Sequence, residues 1–382
     1  MKPTVKLLYG QIDSNVAMKQ FSNLEYYLSF SHCLGIGPVK FDALVKQFGD
    51  VKNAYEGSKK ELEDVIGIKI AKDFIDFRSR FDPAKKLEEM QKKGITLLTR
   101  SDKRYPQALL TIPDPPIALY VRGDLSLVDL NKELFFSIVG TRKPSAYGAQ
   151  ITRKFSQELA SCGFIVVSGM AIGIDTIAHL GALDNGGKTV AVLGCGVDII
   201  YPPTNKNLYE RIIKGGGIVI SEFPPGMTTL PGLFVARNRI VSGLSIGTLV
   251  AEGLEGSGSL ITARYAAEQG KHVFAPPSPI TSPTSFVPNL LLKEGARLVT
   301  STQDILDECN LKVTPSRKKQ IEIELTEEEK KIVRVISNEP QLPDEIVGKT
   351  KLTSPEVSQF LSLLEIKGVV EKNSEGKYQL IN

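Results

Sequence analysis

The chain of 382 residues is longer than most single domains, so we expect two or three domains with at least one large core. Hydrophobic residues make up 42% and charged residues 24%, an ordinary balance for a globular protein that argues against long disorder and fibrous architecture. The formal net charge of +4 does not by itself indicate a partner, so a nucleic-acid interface would require local clusters of basic residues.

The cysteines and the apolar segments narrow the class of protein further. The four cysteines are widely separated, with no CxxC pair and no histidine at ligand spacing, so neither a zinc site nor a disulfide framework is predicted. The first residues lack an export signal, and no uncharged apolar stretch is long enough for a bilayer. We therefore expect a cytoplasmic protein with no membrane segment, no metal and no cofactor.

Residues 1–95 are predicted to form a helical domain. Two related glycine turns, LGIGP at 34–38 and VIGIK at 65–69, are each followed by a helical pattern. Such turns are typical of helix-hairpin-helix (SAM-like) units, in which backbone N–H groups at the next helix start can hold a phosphate. A small helical bundle that only packs on its neighbour explains the pattern equally well.

Residues 96–310 are predicted to form an α/β domain. A proline-rich passage at 105–122 indicates an extended connector laid against it. From Phe135 onward, apolar runs of strand length alternate with helical patterns, and the runs are FFSIVG, FIVVSG, KTVAVLG, GIVISE, IGTLVAE and KHVFAPP. Strands that are apolar throughout are buried on both faces, so we predict a Rossmann-like, doubly wound, mostly parallel sheet.

The C-terminal part is predicted to hold a linker at 311–325 and a winged-helix domain at 326–382. The linker is polar and basic, and beyond it three helical patterns precede a hairpin pattern. The supposed recognition helix, SPEVSQFLSLLEIK, carries one basic residue, Lys367. That composition favours a protein contact over duplex reading.

Glycine-rich loops follow several predicted strands. Ligands of doubly wound sheets collect where such loops leave the carboxyl ends of strands, because backbone amides and helix N-termini can cradle an anion there. We predict an anion-binding site formed by Gly140, Thr141, Arg142 and Lys143, by Gly169, Met170 and Ala171, and by Gly256, Ser257, Gly258 and Ser259. The loop Gly194–Asp198 lies at the same edge.

A basic cluster lies between the fourth and fifth of these strands. Arg237, Asn238 and Arg239 follow Phe234, and two guanidinium groups beside a ring suit a phosphodiester strand whose bases stack. In the alternative, the phenylalanine is a core residue and the arginines pair with Glu222 and Glu252.

Several enzyme signatures are matched only in part. The GxSxG at 243–247 has a helix before it and a strand after it, the reverse of a nucleophile elbow. The GKT at 187–189 precedes a strand, and the GCG at 194–196 lacks the third glycine of a dinucleotide fingerprint. His179 lies within a helix and lacks an acid–base partner. We therefore expect no catalytic residues.

Seven segments together resemble the DprA/Smf family of DNA-processing proteins, over about residues 105–305. They are VGTRKPSAYG, SGMAIGIDTIAH, KTVAVLGCGVDIIYPPTN, SEFPPG, RNRIVSGLS, TLVAEG and SGSLITARYAAEQGKHVFA. The resemblance implies a homodimer that coats and protects incoming single-stranded DNA and delivers it to the RecA recombinase during natural transformation. It also implies a phosphate contact at Arg142, a groove lined by Gly140, Thr141, Gly169, Met170 and Ala171, a basic rim at Arg237, Asn238 and Arg239, and a stacking ring at Phe234.

The chain departs from the family pattern around that ring and after the sixth strand. Pro231 stands where the family usually has a basic residue, and Val235 where it has a proline. Glycines usual in the family are missing from 275–279 and 285–289. Two outcomes stay open: one phosphate contact is lost and the affinity for single strands is weaker than is usual in the family, or Lys206 or Lys188 replaces that contact.

Two other functions stay open. The segment GTLVAEGLEGSGS resembles the glycine-rich acidic motif of phosphoribohydrolases, in which Glu252 would be the acid. The appended DNA-binding-like domains argue against a small-metabolite hydrolase. In the other alternative the chain is chiefly an adaptor that docks the recombinase.

Overall fold

The computed structural model describes residues 14–312, 325–337, 339–367, 369–373 and 376–380. Its contacts divide the chain into two compact units, Met1–Ser316 and Arg317–Asn382. The first unit includes both the predicted helical domain and the sheet, so their division at residue 95 stays a prediction. Residues 313–324 of the predicted linker lie outside the described residues.

Six helices form the N-terminal part of the first unit. They are α1 (Ser14–His32), α2 (Pro38–Phe48), α3 (Val51–Glu56), α4 (Lys59–Ile66), α5 (Ile68–Arg78) and α6 (Pro83–Lys92). Both predicted turns precede helices, and Gly67 between α4 and α5 has a φ of 81°, a conformation that favours glycine. In a shared core, the centre of the Phe30 ring lies 5.2 Å from the centre of the Phe41 ring and 5.1 Å from that of the Phe74 ring.

A nine-stranded sheet with helices on both faces forms the rest of the first unit. Its strands are β1 (Ile95–Thr99), β2 (Ala118–Gly123), β3 (Leu134–Val139), β4 (Phe164–Ser168), β5 (Thr189–Val192), β6 (Ile218–Ser221), β7 (Gly247–Val250), β8 (His272–Ala275) and β9 (Arg297–Leu298). They lie in the order β1-β2-β6-β5-β4-β3-β7-β8-β9. Strands β3 to β9 pair in parallel, which confirms the predicted mostly parallel sheet.

The proline-rich passage at 105–122 is more than a connector. It contains most of β2, which pairs antiparallel with both β1 and β6 and so extends the sheet at one edge. Prolines occur before the strand, at 113, 115 and 116, where no ladder hydrogen bond is needed.

Helices cover both faces of the sheet. They are α7 (Gln107–Leu110), α8 (Ala146–Ser161), α9 (Ile174–Asp184), α10 (Lys206–Lys214), α11 (Pro231–Leu244), α12 (Gly258–Glu268), α13 (Phe286–Lys293) and α14 (Thr302–Glu308). Alternate residues of β4 enter opposite cores: Val167 packs in the core that includes α11, and Val166 in the core that includes α8 and α9. Strands β3 to β6 follow one another toward one edge of the sheet, and β7 to β9 toward the other, so the strand order reverses between β3 and β7. A crevice at such a point is the usual ligand site of this fold.

The second unit has the three helices and hairpin expected of a winged helix. These are α15 (Glu327–Ile336), α16 (Pro343–Thr350), α17 (Ser354–Ile366), β10 (Val370–Lys372) and β11 (Tyr378–Leu380), with the two strands antiparallel. Lys367, the last residue of the predicted recognition helix, directly follows α17 and contacts the buried Glu329 carboxylate at 2.6 and 2.7 Å. Among the described helices, none combines the length and the apolarity that crossing a membrane requires.

Candidate nucleic-acid interface

An open groove with a volume of about 610 Å³ lies at the carboxyl ends of the parallel strands. It is walled by the loops after β3, β4, β5 and β7 and by the first turns of α11. The predicted site residues that line it are Gly140, Thr141, Arg142, Gly169, Ala171, Phe234, Arg237, Asn238, Gly256, Ser257, Gly258 and Ser259. Twelve residues from distant parts of the sequence therefore meet at the predicted edge.

The loops after β3, β4 and β7 support one another through the backbone. The Thr141 N–H donates to the Glu252 carbonyl at 2.9 Å, and the Ile174 N–H donates to the Thr141 carbonyl at 3.1 Å. A Cβ atom at Gly140 would lie 2.7 Å from the Ile174 side chain, and one at Gly173 only 2.5 Å from the Thr141 carbonyl oxygen. Close approach of the main chains explains these glycines.

The amino terminus of α8 is filled by a carboxylate of the protein. Glu252 is 2% exposed and accepts hydrogen bonds from the Ser145 N–H at 2.9 Å, the Ser145 hydroxyl at 2.6 Å and the Thr284 hydroxyl at 2.8 Å. A Cβ atom at Gly148 would overlap this carboxylate. In many folds of this type the same helix end binds a phosphate. Here that position is taken, so an anionic ligand must bind elsewhere in the groove.

Two rings and one exposed guanidinium form the aromatic part of the groove. The rings of Phe234 and Tyr201 are 5.3 Å apart and tilted by 40°, and Tyr201 is 40% exposed. The guanidinium of Arg142 lies 6.0 Å from the centre of the Phe234 ring, within cation–π range. A Cβ atom at Gly194 would lie 2.9 Å from that ring, so the loop after β5 supports it. Phe234 is only half-buried, which favours the prediction of an accessible ring.

Arg237 is buried beneath the loop after β4. Its side chain donates through Nη1 to the carbonyls of Gly169, at 2.6 Å, and Val192, and through Nε to the Asn238 side chain at 3.1 Å. Asp175 accepts hydrogen bonds from the N–H groups of Gly169 and Ala171. Burial raises the pKa of Asp175, and the nearby Arg237 opposes that shift.

Arg239 does not form part of a basic rim. It is 3% exposed, and its guanidinium holds Glu222 through two hydrogen bonds of 2.7 and 2.6 Å and Asp114 through one of 2.7 Å. Residues two apart on a helix project about 200° apart, so Arg237 and Arg239 point to opposite sides of α11. For Arg239, the alternative interpretation of the sequence, in which an arginine pairs with Glu222, is therefore correct.

The remaining predicted residues also lie outside the groove lining. Lys188 precedes β5, and therefore lies at the opposite edge of the sheet, where it donates to the Leu127 carbonyl. Lys206 is exposed at the start of α10, and Lys143 is exposed beyond the loop after β3. Met170 is 1% exposed with a φ of 61°, so it shapes the loop from inside.

Tyr201 is an aromatic groove residue that was not predicted as a site residue. The signal was the Tyr-Pro-Pro sequence directly after the third strand's glycine loop, at the same edge as the other loops. Leu254, Glu255 and Asp175 also line the groove without having been predicted.

The histidine weighed as a general base is unsuited to that role. His179 is fully buried, its Nδ1 is 2.6 Å from the Thr189 hydroxyl, and Nε2 has no partner. Burial, together with the Arg237 charge, lowers the pKa of His179 to about 3. Among the described residues, no group of three or more metal-ligating side chains is placed to hold an ion.

Comparison with known proteins identifies the family. Residues 96–310 match the family model described as DNA recombination-mediator protein A, and residues 316–376 match the DprA winged helix domain. The chain belongs to the DprA family. Protein Smf of Synechocystis is 37% identical to this DprA-family chain over 94% of the chain and 99% of its own length.

Solved structures of DprA proteins have the same fold. DNA processing protein A of Streptococcus pneumoniae has a TM-score of 0.64 and 38% identity, covering 74% of this chain and 96% of its own. The protein from Helicobacter pylori has a TM-score of 0.50 and 33% identity, covering 56% of this chain and 94% of its own. The latter structure was described for its single-stranded DNA binding mode.

Proposed function

We propose that this DprA-family chain binds single-stranded DNA in the groove and catalyses no reaction. The observation that carries the proposal is the cluster of Arg142, Phe234 and Tyr201 in an open groove, because a guanidinium beside accessible rings suits a phosphate next to stacked bases. The relationship to the Helicobacter pylori protein, which binds single-stranded DNA, supports the same ligand.

The groove offers several groups to a polyanion without reading its sequence. Arg142 is exposed, and α12 begins at Gly258 in the groove wall, so the positive end of that helix adds to the local potential. Glu255, which also lines the groove, opposes it. Contacts of this kind position a strand through its backbone, and the rings accept any base.

The wider role proposed for the chain follows from its relatives. Curated proteins of Bacillus subtilis and Streptococcus pneumoniae that are 40% and 41% identical are named DNA processing protein DprA. We infer a cytoplasmic homodimer that protects incoming single strands and loads RecA recombinase onto them during natural transformation and recombination. Light scattering tests the dimer, and RecA filament formation on oligothymidine with and without the chain tests the loading.

The phosphoribohydrolase alternative lacks support in the groove. Its candidate acid, Glu252, is buried and its two oxygens accept three hydrogen bonds, so it has no open approach to a ribose. Incubation with nucleoside monophosphates decides between the two functions. We expect no base release, and release at a catalytic rate would favour the enzyme.

Arg142→Ala tests the binding function directly. We expect weaker binding to oligothymidine and a fall of about 0.7 in the slope of log affinity against log salt, because one phosphate contact is lost. Arg264→Ala is the matched control, since Arg264 is exposed on α12 outside the groove. Unchanged affinity in Arg142→Ala, or equal losses in both variants, would remove the groove from the proposal.

The same titration with duplex DNA separates DNA binding from a purely adaptor role. We expect single strands to bind more tightly than a duplex of equal length at both of two salt concentrations, because stacking on the rings requires unpaired bases. If neither form binds while RecA is still captured in the presence of nuclease, the chain is an adaptor.

A further inference from the structure

The N-terminal helices contact the loop after β5, residues 193–202, which carries Tyr201 into the groove. Val197 of that loop is fully buried and belongs to a core that also contains residues of α1, α6, β1 and β2. From α10, the Tyr209 hydroxyl donates to the Val197 carbonyl at 2.6 Å. The middle of the loop is therefore anchored among the helices and the edge strands, and its end reaches the groove.

An ion pair joins the same helices to this loop. Lys93, which directly follows α6, contacts the Asp198 carboxylate at 3.0 Å. The other oxygen of that carboxylate accepts a hydrogen bond from the Gly226 N–H, in the loop after β6, at 2.7 Å. Asp198 thus connects α6 with two loops at the carboxyl ends of the strands.

The carboxylate of Asp198 is held in one position. Its side chain is 14% exposed, and a Cβ atom at Gly196 would lie only 2.9 Å from its Oδ1 atom. Burial raises the pKa of Asp198, but the Gly226 N–H and the Lys93 ammonium outweigh burial and hold that pKa below its usual value. The pair is therefore charged at neutral pH. Two residues separate Asp198 from Tyr201, so a shift of the carboxylate reaches the ring through a short length of backbone.

We propose that Lys93 and Asp198 are positioning residues of the groove, whose ion pair fixes the loop after β5 so that the Tyr201 ring stands beside Phe234. Neither member of the pair lines the groove, so the pair acts through the ring and not on the strand. The N-terminal helices then contribute to the affinity for DNA without contacting it. The inference rests on the proposed single-strand binding and assigns these helices a part in it.

Lys93→Ala measures what the ion pair contributes in the full-length chain. We expect the affinity for oligothymidine to fall about twofold to fivefold, the usual range for an ion pair in which one partner is exposed. Lys93→Arg keeps the charge and should restore most of the affinity. Lys92→Ala is the matched control, because Lys92 is exposed and pairs with Glu88 at 2.7 Å within α6. Equal losses in Lys92→Ala and Lys93→Ala would overturn the proposal, since general charge would then explain both.

Asp198→Asn tests the other partner of the pair. Asparagine keeps an oxygen that can accept from the Gly226 N–H, and it removes the charge that Lys93 contacts. The affinity should fall as it does in Lys93→Ala, and the double variant should lose no more than either single variant. Losses that multiply in the double variant would show that the two residues act separately, against the proposal.

The Tyr201→Ala background decides whether the pair acts through the ring. We expect Lys93→Ala to cause no further loss of affinity in a protein that already lacks the ring. An undiminished further loss would overturn the positioning role, because Lys93 would then act on the strand by another route. If the unaltered chain does not bind oligothymidine at all, the proposed function itself is wrong.

A fluorescence measurement tests the positioning without DNA. The chain contains no tryptophan, so Tyr201→Trp places a single reporter at the position of the ring. Adding Lys93→Ala should let the indole move more freely and lower its fluorescence anisotropy, whereas adding Lys92→Ala should leave the anisotropy unchanged. Equal anisotropy in all three proteins would overturn the positioning role whether or not the chain binds single strands.

Discussion

The Arg142 guanidinium lies 6.0 Å from the centre of the Phe234 ring, although the two residues belong to different sides of the groove. Arg142 comes from the loop after β3, and Phe234 from the first turn of α11. The ring of Tyr201 contacts Phe234 from the loop after β5. Two loops and the first turn of a helix therefore build one surface, and each of the three residues can be tested singly.

Removal of either ring should weaken single-strand binding. We expect Phe234→Ala and Tyr201→Ala each to lower the affinity for oligothymidine about tenfold to a hundredfold, the usual range for one stacked base. Because the rings touch, the double variant should lose less than the product of the two single losses. Anisotropy titrations measure all three variants.

Tyr265→Ala is the control for those titrations. Tyr265 is a half-buried ring on α12 that does not line the groove. Its loss should leave the affinity unchanged. If the Tyr201 and Phe234 variants also bind as well as the unaltered protein, stacking plays no part in binding.

The fold was predictable because its signals repeat along the chain. Six apolar runs that alternate with helical patterns predict a buried parallel sheet. Strand β2 was hidden because prolines precede it and it pairs antiparallel at the edge of the parallel strands. Its pairing with β6 depends on tertiary structure that no local pattern records.

The site was predictable as an edge of the sheet but not residue by residue. Glycine loops after strands place the ligand at the carboxyl ends, and most of the predicted residues line the groove there. Arg237 and Arg239 were taken together because they are close in sequence, yet a helix turns them apart. Tyr201 was missed because a single ring after a glycine loop has no periodic pattern.

The buried ion pair of Arg239 should contribute to stability and not to DNA binding. Arg239→Ala leaves the Glu222 carboxylate, which is 10% exposed, without its partner, so we expect it to lower the free energy of unfolding by about 3–5 kcal/mol. Urea unfolding measures the loss. Replacing both residues by apolar ones should recover most of it, since the carboxylate that then loses its partner, Asp114, is 37% exposed to solvent.

The control for this pair is an exposed one. Arg211 and Asp184 are 49% and 34% exposed, and Arg211→Ala should change the free energy of unfolding by about 1 kcal/mol or less. Equal losses at the two arginines would contradict the structural role assigned to Arg239.

His179 should make the protein less stable in acid. Burial lowers its pKa from 6.5 to about 3, so the folded protein keeps the ring neutral where the unfolded chain binds a proton. Above pH 6.5 the protonation of His179 does not reduce the free energy of unfolding. As the pH falls from 6.5 toward 3, it reduces this free energy by about 1.4 kcal/mol per pH unit. His32, whose pKa burial lowers to about 4, acts in the same direction.

His179→Asn keeps a donor for the Thr189 hydroxyl and removes the titrating ring. Urea unfolding between pH 6 and 4 gives the free energy of unfolding as a function of pH. For the variant, the slope of this dependence should be smaller than that of the unaltered protein by the equivalent of close to one proton bound on unfolding. The loss of stability from the smaller side chain should be constant above pH 7, where both forms are neutral. An unchanged slope would mean that His179 does not bind the proton on unfolding.

Gly169→Ala should disturb both Arg237 and the groove that these two residues line. The new Cβ atom would lie 2.5 Å from Nη2 of Arg237 and 2.7 Å from the Asp175 carboxylate. Because the guanidinium is fixed by two carbonyls, it cannot move without breaking hydrogen bonds. We expect a loss of about 1–3 kcal/mol in the free energy of unfolding and weaker binding to oligothymidine.

Gly232→Ala on α11 is the matched control, because its Cβ atom meets nothing within 4 Å. That variant should be unchanged or slightly more stable, as alanine favours a helix. Equal stability and affinity in both variants would show that the close contact between Gly169 and Arg237 is not required.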